Sequence, residues 1–207
     1  MKRRILLAAP LLAVLPLAIP PARAAAPEAE PVIALDDALI AVMKAGSAGQ
    51  PFTARYDMLK PVVEQSFDLS TILQVSAGLF WAEIPAAQQT QLQTLFRQYT
   101  IATYVSSFNA YDGQSFETLP GIRTVGTKRV VTTDLIAKSG RKTPLAYVMT
   151  PTAGTWKITD VLFDGTISKV ATQRSEFSSL IEPNDASRLI DALMQKIAAL
   201  SGGAIKG

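Results

Sequence analysis

The chain has 207 residues, 20 of them basic and 17 acidic, with no cysteine and no histidine. Without thiols there is no disulfide, redox pair, thiolate metal site or cysteine nucleophile; without imidazole there is no histidine-based triad and no histidine-ligated metal. With 48% hydrophobic and 18% charged residues the composition is globular, and the length suits one domain.

Residues 1–24 read as a secretory signal peptide. Lys2, Arg3 and Arg4 form its basic start, Ile5 to Ile19 its apolar stretch, and Ala22-Arg23-Ala24 a small-x-small cleavage pattern. The alternative, an uncleaved anchor, is disfavoured by the short run and by Pro10, Pro16 and Pro20 within it. No cysteine follows, which excludes lipid attachment. Removing the segment leaves 16 basic and 17 acidic residues, net −1. A nucleic-acid partner then loses the basic surface it needs.

Residues 25–31 read as a flexible leader, 32–201 as one domain, and 202–207 as a flexible tail. Helical spacing of Leu35, Leu39 and Val42 predicts a helix over Val32–Lys44. A second spans Phe52–Gln65, with Pro61 expected to kink or divide it. Asp68 is placed to cap a helix from Leu69 to Trp81. A long helix is predicted from Pro85, as a first-turn residue, to about Asn109. Ile84 stands where a polar cap is expected. The apolar face of this helix is wider than one sheet contact needs.

The second half changes period. One or two short strands are expected between Phe116 and Thr127. An antiparallel meander follows over Val130–Ala137, Thr143–Thr150 and Thr155–Phe163, with turns at Ser139-Gly140 and Thr152-Ala153-Gly154. Helix returns over Val170–Ser179 and over Asn184–Leu200, with Asn184 as cap. The order gives an α+β domain whose long helix lies across a bent antiparallel sheet, a cone either filled or hollow.

Chemistry is thinly represented. Asp160, in a strand between Ile158 and Leu162, is expected on their face and is the candidate general base; the plainer reading is an edge position or a pairing with an arginine or a backbone donor. The run Arg174-Ser175-Glu176 suggests a polar site, but reads better as a helix face whose Arg174 pairs with an acidic neighbour. No phosphate loop, nucleotide fingerprint or serine elbow is present. Aromatics are abundant on elements that should pack together, and each taken alone reads as core.

Several stretches taken together resemble one family. They are Phe67-Asp68-x-x-x-Ile72, Gly78-x-x-Trp81, Gln88 leading to Phe96 and Tyr104, Val131-x-Thr133, Gly140, Tyr147, Trp156-Lys157-Ile158-x-Asp160-Val161, Gly165-x-Ile167-Ser168 and Gln173-Arg174-Ser175-Glu176-Phe177. Over about Phe52 to Leu193 the chain is similar to the MlaC-type periplasmic lipid-binding proteins, also called toluene-tolerance auxiliary proteins. Arg55-Tyr56, Phe80-Trp81 and the Gln-Arg-Ser-Glu-Phe run resemble its hopanoid-associated, HpnM-like branch.

The resemblance implies an NTF2-like α+β cone, long helices packed on a curved antiparallel sheet around a deep apolar pocket. It implies a monomeric, non-enzymatic carrier without cofactor or metal, moving a phospholipid or hopanoid between membranes. The implied partners are an inner-membrane transporter and an outer-membrane lipoprotein. The transporter would be of ABC type with a ring of lipid-passing domains, or an RND-type exporter. The pocket is expected to draw on Phe80, Phe96, Tyr99, Tyr104, Phe108, Val131, Tyr147, Met149, Trp156, Ile158, Val161 and Phe163. Sequence does not fix strand facing, so part of this set is expected to be filled core. Two other readings remain open: a small periplasmic enzyme using Asp160 as base, and a protein-interaction adaptor with a filled core.

Overall fold

A computed structural model describes residues 25–207; the expected signal peptide, 1–24, lies outside the described residues. The chain runs α1 (Glu30–Ser47), α2 (Phe52–Ser66), α3 (Leu69–Ala77), a 3₁₀ segment (Gly78–Glu83) and α4 (Ala86–Ser107). Then come β1 (Ser115–Thr118), β2 (Arg123–Val125), β3 (Lys128–Ile136), β4 (Lys142–Thr152), β5 (Thr155–Phe163) and β6 (Ile167–Ser168), followed by α5 (Lys169–Ser178) and α6 (Ser187–Ser201). The strands form one antiparallel sheet in the order β1-β3-β4-β5-β6, with β2 also pairing β3. Helices pack on its inner face, α1 on α2, α4 on α2 and α6, α3 on α5. The α+β cone is thus the observed architecture.

Several local expectations are corrected. Pro61 lies inside α2 without dividing it. The helix expected to reach Trp81 stops at Ala77, because Gly78 takes φ +66°, ψ −142°, a conformation side-chain-bearing residues avoid. Its start is as expected: the Asp68 carboxylate accepts from the Thr71 N–H at 3.0 Å and the Thr71 hydroxyl at 2.8 Å. Pro85 precedes α4 instead of opening it, and no side chain caps that helix. Asn184 is not the cap of α6. It sits at φ +60°, and the cap position falls on Ala186, which offers no side-chain bond; Asp185, one residue earlier, accepts from the Ser187 N–H at 2.9 Å and the Gln88 amide at 2.9 Å.

The stretches read as flexible ends are engaged. α1 begins within 25–31, where Ala29 is buried in the core. In the tail, Ile205 donates its N–H to the Ser201 hydroxyl and packs against the core. Among the described residues no helix is long and apolar enough to cross a membrane.

Candidate functional site

Strand register fixes what faces the helices. Directly opposed residues share a face, and Val131 opposes Tyr147 while Thr133 opposes Leu145. Across the next pair Tyr147 opposes Val161, Leu145 opposes Phe163 and Met149 opposes Ile158. The register shifts between Val148 and Met149, so β5 carries an extra residue there. Ile158 and Val161 therefore both point inward, whereas Asp160, opposite Val148, does not. The expectation that Asp160 shares a face with Ile158 is corrected by this bulge.

The inner face is divided. At one end Val131, Met149 and Ile158 are fully buried and form filled core. At the other end Leu135, Leu145, Tyr147, Val161 and Phe163 line a cavity of about 340 Å³. The helical wall comes from one stripe of α4, Phe96, Tyr99, Thr100, Thr103, Tyr104, Ser107 and Phe108, together with Phe67, Leu69 and Ile72 before and within α3. Lys169, Val170 and Gln173 of α5 close the third side, and Asp160 reaches its edge. Ser107, Phe163 and Lys169 are exposed and mark the mouth. At the far end Phe96 meets Phe177 edge-on, with ring centres 6.1 Å apart. Phe67, Tyr104, Phe108 and Phe116 form a continuous aromatic row, successive centres 5.7–6.1 Å apart.

The polar residues of this wall are mostly spoken for. The Thr100 hydroxyl donates to the Phe96 carbonyl at 2.8 Å and the Thr103 hydroxyl to the Tyr99 carbonyl at 2.7 Å. Each thus satisfies its donor within α4. Burial pushes the Tyr104 and Tyr147 phenols well above their ordinary range, so both stay neutral. Asp160 accepts from the Ser168 hydroxyl at 2.6 Å, the Val161 N–H at 2.8 Å and the Val170 N–H at 3.1 Å. It anchors the start of α5, the plainer of the two roles open to it from sequence. Asp36 of α1 stands behind the aromatic row. Its Oδ2 accepts from the Thr133 hydroxyl at 2.9 Å, its Oδ1 has no partner among the described residues, and burial lifts its pKa to about 7.

Of the residues expected to form the pocket, Phe96, Tyr99, Tyr104, Phe108, Tyr147, Val161 and Phe163 surround this cavity. Val131, Met149 and Ile158 lie in the filled half. Phe80 and Trp156 pack half-buried against the core elsewhere, Trp156 beneath the Arg129 guanidinium at 5.5 Å. Sequence reading missed the hydroxyl residues of α4, which look like a polar face, and Gln173, whose type gives no hint of an apolar surrounding. Leu135 and Leu145 carried a signal: each stands at period two from an inward-facing residue, Thr133 and Tyr147.

An apolar cavity at one end of an α+β cone has the lining to enclose a largely apolar small molecule; a second, smaller cavity of about 280 Å³ lies between α1 and β1. The sequence profile of the family described as "MlaC protein" matches residues 34–195. The chain belongs to the MlaC family. Among solved structures it is similar to the phospholipid-binding protein of Ralstonia solanacearum, determined in complex with a phospholipid at 1.53 Å. The two share 22% identity over 86% of this chain and 99% of that one, with a TM-score of 0.73. At that identity the likeness establishes the shared fold. No curated protein matches the chain.

Proposed function

We propose that this chain is a periplasmic lipid carrier. A cleaved signal peptide over 1–24 would export it, and the single domain that follows shields the acyl tails of a phospholipid between inner- and outer-membrane transport components. The observation that carries this reading is the cavity: about 340 Å³, walled by aromatic and aliphatic side chains, opening at Ser107, Phe163 and Lys169. Its size lies in the lower part of the 300–1,000 Å³ typical of ligand pockets.

The energetics explain why such a cavity is needed. A two-chain lipid carries about 30 methylenes at ~0.8 kcal/mol each, so escape into water costs on the order of 20 kcal/mol. Unassisted transit is negligible, and handover must take place against a docked membrane partner. Hydrocarbon tails offer nothing to hydrogen-bond, which agrees with a wall whose threonine donors are satisfied internally. The phospholipid held by the Ralstonia protein supports an acyl-chain cargo; the hopanoid assignment has no comparable support. The wall of the cavity is proposed as the lipid-binding surface, with Phe96, Tyr99, Tyr104, Phe108, Tyr147, Val161 and Phe163 in it. An enzymatic reading through Asp160 is weakened by the three donors that already hold its carboxylate.

Loading tests the proposal. Delipidated protein, incubated with vesicles carrying a pyrene-labelled phospholipid and then separated by gel filtration, should carry the label in its own peak. Label confined to the vesicle fraction would contradict it.

A further inference from the structure

The inner face of the sheet does not end with the cavity. Leu145 of β4 opposes Phe163 of β5, and Phe163 opposes Ile167 of β6, so the three side chains share one face. Leu145 is 7% exposed, Phe163 57% and Ile167 58%. The apolar wall therefore runs outward and finishes on an uncovered ledge, with Phe163 belonging to both. The ledge is carried by β6, the last strand of the sheet, and by the tight turn before it. In that turn Asp164 and Gly165 take φ +52° and +71°, and the Thr166 N–H donates to the Phe163 carbonyl at 3.2 Å.

Area, charge and continuity together say what covers the ledge. The exposed parts of the two side chains offer about 200 Å², against about 800 Å² per partner in a stable protein interface. A narrow hairpin tip of this size suits shallow insertion better than a protein surface. At the same end of the sheet, Lys138 and Lys142 of the β3–β4 turn are ion-paired with Asp112, Glu117 and Asp134. Outside ion pairs this end carries Arg141 and Lys169 against Asp164, among the described residues. Charge is thus close to balanced, and an anionic partner has little to hold. Continuity decides the rest. A tail leaving the cavity past Phe163 avoids water only if the ledge already touches hydrocarbon.

We propose that the Phe163–Ile167 ledge docks the mouth of the cavity directly on a lipid bilayer, its two side chains entering the interfacial layer so that cargo passes along them without crossing water. This rests on the carrier reading above and adds the surface that the mouth faces during handover.

Protein loaded with pyrene-labelled phosphatidylcholine is mixed with protein-free phosphatidylcholine vesicles that contain a quenching lipid, and the decay of pyrene fluorescence is followed. For wild type the transfer rate should rise in proportion to vesicle concentration, as contact requires. Ile167 does not line the cavity, so Ile167→Ser and Ile167→Trp should load as wild type does. Transfer by Ile167→Ser should be about tenfold slower, the worth of half an isoleucine side chain's burial. Ile167→Trp, with a side chain favoured at membrane interfaces, should transfer at least twofold faster than wild type. A wild-type rate independent of vesicle concentration, or a rate unchanged in both variants, would overturn the assignment. A wild-type dimer in gel filtration that Ile167→Ser abolishes would give the ledge to a second copy and overturn it equally. Failure of wild-type protein to load would instead overturn the carrier reading, and this assignment with it.

Discussion

Replacing Asp36 by Asn should make the protein more stable at neutral and alkaline pH and remove the pH dependence that this carboxyl supplies between pH 4 and 7. Asp36 is 5% exposed. Burial raises its pKa from 3.8 to about 7, the bond from Thr133 opposes the rise, and the charge of Asp37 adds to it. Below pH 4 the carboxyl is neutral in folded and unfolded chains alike, and it costs nothing. Between pH 4 and 7 the unfolded chain releases the proton while the folded one retains it, so stability falls by about 1.4 kcal/mol per pH unit. Above pH 7 the loss is complete and on the order of 4 kcal/mol. Asn keeps the shape and an acceptor for Thr133 but never ionises. Its unpaired amide edge retains a desolvation cost of about 1–3 kcal/mol, so the net gain at pH 8 should be about 1–3 kcal/mol. Urea unfolding at half-unit steps from pH 4 to pH 8.5 measures both slope and gain. The window is clear because the chain has no histidine. A variant whose stability parallels wild type across pH 5–7, or falls below it at pH 8, would refute the reasoning.

Thr103→Trp should block the cavity. Thr103 sits mid-wall on α4, half-buried, and an indole there occupies space that a chain would use. Lipid loading should drop at least tenfold with far-ultraviolet circular dichroism unchanged; normal loading would remove Thr103 from the wall. Asp160→Ala should destabilise the fold by about 1–3 kcal/mol, because it frees the Val170 N–H at the start of α5 and the Ser168 hydroxyl. Denaturant unfolding reads that cost, and a value near zero would mean that α5 does not depend on this carboxylate.

Much of the scaffold was legible because it repeats. Leu35, Leu39 and Val42 mark α1 by helical spacing, and the β-branched runs between glycine turns mark β3, β4 and β5. What escaped lacks a period or breaks one. β6 has two residues, too few for any pattern. The end of α3 is set by one backbone conformation at Gly78. The bulge at Val148/Met149 moves Ile158 and Val161 to one face at a spacing of three, which alternation alone cannot reveal.

The cavity itself was legible only in outline. Tyr147 and Met149 stand on the same face of the same strand; the first meets empty space and the second is packed solid. The difference lies in where the helices cross the sheet, a property of no single residue. Thr100 and Thr103 look polar on a helical projection but spend their donors on their own backbone. Gln173 hides for the opposite reason, a polar residue retained inside an apolar wall.

Mass spectrometry of an organic extract tests the central claim most directly. The protein is purified without detergent from the periplasm of the cells that make it, and the lipid in the extract is counted against the chain. A glycerophospholipid should be enriched with the protein at close to one per chain and lost in Thr103→Trp. Protein that emerges free of lipid, or with equal lipid in the variant, would contradict it.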